Sequence, residues 1–293
     1  MRYNLTAMFH TNFVHLHVHS HYSLLDGAAS VKAIVDAARR FRMPAIALTD
    51  HGNMFGAIEL YQYALKKGVK PIIGFETYLT PGSHTENKKD PMYHLVLLAR
   101  NIEGYRNLVK LSTIAFTKGF YYKPRIDFEL LEQHKEGLIG LGACRAGEVP
   151  HELLKGDREA AMAAIKRYQQ ILGPENFYVE IQNHGLDDQV KILRSLVEVA
   201  RACDCPIVAT NDSHYVRPED WEAQDALLCL STNAKIDDEK RMRFGTREFY
   251  LKSPQEMTEL FAEWPDAISN TLRIAERCNV KLTLGESILP EFK

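Results

Sequence analysis

The chain runs to 293 residues, 45% apolar and 25% charged, with 36 Lys and Arg against 38 Asp and Glu and a formal net charge of −2. Length and composition fit one large α/β domain or two ordinary ones, with a substantial core. They exclude a basic protein that grips duplex nucleic acid by charge alone, and no run of about 18 apolar residues is present to form a membrane-spanning helix.

Residues 1–12 break from the pattern that follows. They read as a short leader lacking the apolar stretch of a secretion signal. From there strand-like and helical runs alternate. FVHLHVH (13–19) is expected to be a strand, and Val31 to Phe41 an amphipathic helix capped by Ser30. AIALTD (45–50) is a second strand, and Ala57 to Lys67 a helix stopped by Gly68. PIIGFETYL (71–79) and HLVLLA (94–99) follow as strands, then a helix near Glu103 to Phe116. The strand GLIGLGAC (137–144) precedes a helix over Asp157 to Leu172, and FYVEIQ (177–182) one over Leu186 to Ala202. PIVATND (206–212) is the last strand of the series. Short apolar strands joined by crossover helices specify a mostly parallel sheet, and seven of them point to a closed barrel more than to a doubly wound sheet. Beyond Asp212 the alternation stops. Trp221 to Leu230 is helical, 240–253 is an extended basic excursion, and helices begin near Pro254 and Pro265. Residues 286–293 read as the start of a linker.

Nine side chains of metal-ligand type mostly end or follow these strands: His17, His19, Asp26, His51, Glu76, His94, Cys144, Asp212 and His214. Strand ends are where barrel and open-sheet enzymes keep their chemistry. A divalent transition metal takes about four to six ligands, so nine imply two or three ions in one cleft, the usual equipment for phosphate ester hydrolysis. In HLHVHSH (15–21), alternation would point His15, His17, His19 and His21 the same way. Alone, that pattern more often lines a polar strand face. The strand ends at Asp50–His51, Glu76 and Asp212–His214 shift the balance, with Glu76 and Asp212 as natural bridging carboxylates. Asp26 fits an Asp-Gly turn as well as a ligand. His94 begins its strand, against the barrel rule, and Cys144 fits an inert thiol or a soft ligand. The five cysteines are an odd number without a signal peptide, which points to reduced thiols in the cytoplasm. Cys203 and Cys205 read as structural thiols.

Together these residues resemble the polymerase and histidinol phosphatase (PHP) family. The likeness rests on HVHS with Asp26 in YSLLDG, then TDHGN, GFE, HLVLLARN, GACRAGEVP and ATNDSH, and runs from about Phe13 to Leu284. GFYYKPRID (119–127) and FGTREFYLKS (244–253) resemble the branch carried by bacterial replicative DNA polymerases, not the small phosphatases. The resemblance implies a distorted (β/α)7 barrel over residues 13–285, with a metal cluster at the C-terminal strand ends. It implies three ions, zinc or manganese with magnesium as a further option. His17, His19, Glu76 and Asp212 would hold one. Glu76 would bridge to a second on His94 and Cys144, and Asp26, His51 and His214 would hold the third. Asp26, His51, Glu76 and Asp212 would act through metal-activated water. The implied activity is a 3′–5′ proofreading exonuclease on single-stranded or frayed DNA 3′ ends. The remaining polymerase domains and other replisome subunits are the implied partners. Arg145, where the family commonly has an apolar residue, would contact a substrate phosphate or sit at the surface.

Two stretches have the composition to guide DNA. FTKGFYYKPR (116–125), with Lys123 and Arg125, interleaves aromatic and basic residues, and KRMRFGTR (240–247) is locally basic. Each reads equally as a packed loop or a solvated charge run. Three function classes are therefore carried forward: the exonuclease, a phosphatase for small monoesters, and a catalytically silent metal module of a polymerase.

Overall fold

The computed structural model of the chain describes residues 10–143 and 145–286. Residues 1–9, Cys144 and 287–293 lie outside the described residues, and with them most of the expected leader and linker and one expected ligand. Among the described residues eight strands are formed: β1 (Ala45–Leu48), β2 (Lys70–Thr80), β3 (Tyr93–Ala99), β4 (Phe120–Tyr121), β5 (Lys123–Asp127), β6 (Leu138–Leu141), β7 (Phe177–Ile181) and β8 (Ile207–Ala209). The helices are α1 (Val31–Arg40), α2 (Ala57–Lys67), α3 (Ile102–Thr117), α4 (Phe128–Gln133), α5 (Glu148–Lys155), α6 (Arg158–Leu172), α7 (Asp187–Ala202), α8 (Trp221–Thr232), α9 (Pro254–Leu260) and α10 (Pro265–Arg277). The punctuation is local chemistry. Ser30 accepts the Ala33 N–H at the start of α1, Gly68 ends α2 at φ 72°, and Ser253 with Glu256 forms a capping box at α9.

β1, β2, β3, β6, β7 and β8 are neighbours in that order, and β5 with β4 continues from the far half of β2. The stretch 13–19 closes the circle. It takes the Ala47 N–H on the His15 carbonyl (3.0 Å) and the Thr49 N–H on Val18 (2.8 Å), while its own His19 N–H donates to Ser213 (2.8 Å). Seven extended segments thus surround one interior, a distorted (β/α)7 barrel. The closing stretch is not the regular strand its composition suggests. The chain bends at His17, and one isolated bridge, Val18 to Ser213, stands in for a ladder.

The main distortion is β3, which runs antiparallel to both β2 and β6. The connector 81–92 holds no helix to carry the chain back across the sheet, so the chain simply reverses. Alternate strand residues face inward. Ala45, Ala47, Ile72, Val96, Leu98, Ile139, Leu141, Tyr178 and Val208 pack with Val14, Leu16, the α10 residues Ile274 and Ala275, and Cys278 at its C-cap in one cluster, so α10 plugs the lower end. Their neighbours in sequence, such as Ile46, Ile73, Leu97 and Val179, join the larger cluster beneath the helices. Continued toward the open end, the inward parity reaches His51, Glu76, His94, Glu180 and Thr210.

Candidate metal centre

At that open end the structure brings together the eight described members of the expected ligand set. Glu76 lies at the middle. Its carboxylate oxygens stand 3.4 Å from His17 Nε2, 3.6 Å from His19 Nε2, 2.6 Å from His51 Nδ1 and 2.9 Å from His94 Nδ1. Asp212 Oδ1 lies 3.2 Å from His17 Nε2 and 3.1 Å from His19 Nε2. Asp26 Oδ2 lies 3.0 Å from His51 Nε2 and 3.9 Å from His214 Nε2. His94, at the start of its strand, reaches the cluster because β3 runs backwards: its first residues lie where the parallel strands end. In register it pairs with Tyr78.

His15 and His21 stay out. The bend at His17 transfers the inward face from Val14 and Leu16 to His17 and His19. His15 is left against Phe13, its Nε2 donating to the Lys252 carbonyl at 2.8 Å. His21 is exposed.

Several imidazoles are held by one nitrogen. His17 Nδ1 donates to Glu180 at 2.7 Å, and His214 Nδ1 donates to the Asp212 carbonyl at 2.7 Å. His19 Nδ1 lies 2.9 Å from Ser23 Oγ, which gives its own proton to Asp50 at 2.7 Å and so accepts from the ring. Each ring therefore turns an Nε2 lone pair inward. His17 Nε2 and His19 Nε2 consequently face one another at 3.0 Å, both beside Asp212 Oδ1. Electron pairs so placed repel unless a cation, or a proton, lies among them. Both Glu76 oxygens, Asp212 Oδ1, Asp26 Oδ1, His51 Nδ1 and His94 Nδ1 are buried and lack a hydrogen bond of proper geometry. Three overlapping groups, His17–His19–Asp212, His51–Glu76–His94 and His19–His51–His214, each hold three donor atoms within 4.8 Å of one another. Nitrogen and carboxylate donors in buried, overlapping sets fit divalent metals.

Protons answer the same field. Burial opposes a charge on His17, but the Asp212, Glu180 and Glu76 carboxylates hold it protonated well above its ordinary range. Burial opposes it on His51 too, yet Glu76 and Asp26 raise that ring to about 10. Burial and the neighbouring rings of His51 and His214 lower His19 to about 3. Burial works to raise Glu76 and Asp212, and the surrounding imidazoles nonetheless drive both well below the carboxylate range.

The sequence reading passed over Glu180, Gln182, Thr210, Ser20 and Ser23, and placed Asp50 at a strand end without giving it a role. Glu180 accepts from His17, from Gln182 Nε2 (2.9 Å) and from the Thr210 hydroxyl. Its signal was a carboxylate inside FYVEIQ, an otherwise apolar strand that is buried throughout. Asp50 accepts from the Ser20 N–H (2.6 Å) and from the Ser20 and Ser23 hydroxyls, and so anchors the turn leading to Asp26. That turn needs Gly27, where a Cβ would meet the Ser20 carbonyl oxygen at 2.0 Å. Asp212 itself holds a left-handed φ of 44°, and Leu25 beside Asp26 one of 59°. Such conformations cost of order 1–3 kcal/mol in non-glycine residues and persist where the surroundings over-determine them.

The expected substrate contacts lie in three different settings. Lys123 is exposed on the rim, its Nζ 5.4 Å from the centre of the Tyr78 ring, which packs edge-on against His94. Arg145 is exposed and paired with Asp188 at 2.5 Å. Arg125 is buried. It donates to the carbonyls of Gly119 (3.2 Å), Lys88 (3.3 Å), His84 (3.1 Å) and Glu86 (2.8 Å). Its guanidinium is committed to pinning the 81–92 connector and does not face the cleft, which departs from its expected contact with substrate.

A barrel closed by a histidine-bearing segment, with carboxylates and imidazoles gathered at one mouth, defines a class. The chain belongs to the PHP family: the family model for the PHP domain matches residues 15–184. It is 46% identical over 286 residues to DNA polymerase III subunit alpha of Treponema pallidum, covering 96% of this chain and 24% of that protein. It is 48% identical over 290 residues to the same subunit of Borreliella burgdorferi, covering 97% and 25%. The chain spans about a quarter of the length of these curated relatives. Among solved structures, a two-domain Bacteroides vulgatus protein described as containing a predicted PHP-like metal-dependent phosphoesterase aligns with a TM-score of 0.46 and 17% identity, over 88% of this chain and 62% of that one. No helix among the described residues is long and apolar enough to cross a membrane.

Proposed function

We propose that this chain is a metal-dependent phosphoesterase that removes nucleotides from the 3′ end of a DNA strand, within a polymerase of the kind its relatives are named for. The observation that carries the reading is the pair of inward Nε2 atoms of His17 and His19, 3.0 Å apart, beside buried Glu76 and Asp212 oxygens that lack hydrogen-bond partners among the described residues. When bound, divalent ions supply Lewis acidity that neutralises phosphate charge and lowers the pKa of water. His17, His19, Glu76 and Asp212 would hold one ion, Glu76 would extend to a second with His94 and Cys144, and Asp26, His51 and His214 would hold a third. The protein's own part is orientation. Glu180 and Ser23 fix which ring nitrogens face inward, Asp50 fixes the turn carrying Asp26, and Lys123 places a cation where a polyanion enters. A mouth of this kind admits a frayed or single-stranded terminus more readily than a duplex.

The test is incubation of the metal-loaded chain with a labelled single-stranded oligonucleotide. Stepwise shortening from the 3′ end, abolished in Asp26→Asn and His17→Ala, is the expected result. Release of phosphate from small monoesters without shortening would replace this reading with a phosphatase. Bound metal with neither activity would leave a structural module.

A further inference from the structure

A second feature adjoins the cluster. Between α8 and the strap 241–247 runs a cleft of about 450 Å³, within the roughly 300–1,000 Å³ typical of small-molecule sites. Trp221, Gln224, Arg243, Phe244 and Arg247 line it, and Tyr215 contributes to its wall. It touches the metal centre at two points. Gln224 Nε2 donates to the main-chain carbonyl of Asp26, and the Phe244 ring stands edge-on to His214, centroids 5.1 Å apart. The Arg247 guanidinium carbon stands over Trp221, 3.7 Å from the ring centre, and sets a cation at this wall of the cleft.

The cleft also carries unused hydrogen-bonding capacity. Gln224 is 2% exposed, and its Oε1 has no hydrogen-bond partner among the described residues. Buried polar atoms are seldom left this way, because the desolvation of an unpaired group is not repaid. An unmatched acceptor set among aromatic rings and a guanidinium matches a nucleobase, which has flat faces to stack and a polar edge to pair. Neither an inorganic phosphate nor an apolar ligand would use all three features.

We infer that this cleft receives the base and sugar of a nucleotide at the end of a DNA strand, seating its phosphodiester at the Asp26–His214 side of the cluster. The inference rests on the phosphoesterase reading and names its substrate-recognition site.

Binding can be measured without turnover. The chain stripped of metal by chelator is titrated with a deoxynucleoside monophosphate, with a short single-stranded oligonucleotide and with inorganic phosphate. The signal is Trp221 fluorescence in a Trp264→Phe background. The expected result is quenching by both nucleotide ligands and none by phosphate. The dissociation constant should rise tenfold or more in Phe244→Leu and in Arg247→Ala, with thermal stability unchanged. Equal affinity in wild type and both variants, or quenching by phosphate as strong as by nucleotide, overturns the inference. Oligonucleotide hydrolysis with the same KM in wild type and both variants also overturns it, while leaving the phosphoesterase reading intact. Nucleotide binding lost in the variants, in a chain that hydrolyses nothing, sustains the cleft and removes the phosphoesterase reading instead.

Discussion

Glu180 is the residue whose role the geometry defines most sharply, and Glu180→Gln isolates it. Among the described residues the carboxylate touches no other ligand of the cluster than His17, and three donors converge on its Oε1: His17 Nδ1, Gln182 Nε2 and the Thr210 hydroxyl. An amide oxygen in the same place keeps those hydrogen bonds and removes only the charge, while the new NH2 replaces an oxygen, Oε2, that has no partner. Folding stability of the metal-free protein should therefore change by about 1 kcal/mol or less, the loss of a buried charge pair being offset by relief of its desolvation. Metal affinity should not be spared. A carboxylate behind a ligating histidine raises the basicity of its outer nitrogen, and loss of such a partner typically costs about 10–100-fold in affinity, or roughly 1.4–2.7 kcal/mol. Competition against a chromophoric chelator for Zn²⁺ and Mn²⁺ reads the affinity directly, and thermal unfolding of the stripped protein reads the fold. Wild-type affinity for every ion in Glu180→Gln would refute the argument. So would a collapse in stability with affinity unchanged.

Removing metal from the loaded protein should lower its melting temperature by several degrees, since each site held at 100 times its dissociation constant adds about 2.7 kcal/mol. Scanning calorimetry with and without chelator checks this, and superimposed transitions would mean that the folded state holds no ion. Arg125→Met should cost about 3 kcal/mol or more in urea unfolding, because the carbonyls of Gly119, His84, Glu86 and Lys88 lose a shared donor. Lys123→Ala should do the reverse, raising KM for an oligonucleotide a few-fold while leaving the unfolding midpoint in place. Cys205 and Cys278, both pushed up to about 12 by burial, should resist iodoacetamide at pH 8 until denaturant is added, since the thiolate is the reactive form; mass spectrometry of the alkylated native protein decides it.

Much of the barrel was legible because its determinants are local. Caps at Ser30 and Gly68, apolar runs of strand length and helical periodicity are written within a few residues, and the helices began and ended close to where those signals stood. The departures arose where a distant segment decides. The hairpin of β4 and β5 was hidden because PRID is short and carries two charges, yet Arg125 is buried there, answering carbonyls of the 81–92 connector. The alternating histidines of 15–21 implied four equivalent side chains, and the bend at His17 divided them in a way no two-residue period records.

His94 shows the same lesson acting on the site. Judged as the first residue of a parallel strand it belongs at the wrong end of a barrel. Its placement follows from what 81–92 lacks, a crossover helix, and only the direction of β3 turns that absence into a ring nitrogen 2.9 Å from Glu76. Site residues can therefore be read from strand termini only after each strand's direction is known, and direction is set by the connector before the strand. Restoring a helical crossover between Thr80 and Tyr93 would reverse β3 and carry His94 to the α10 end of the barrel. The second ligand group would then lose its third member even though every strand sequence stayed as it is.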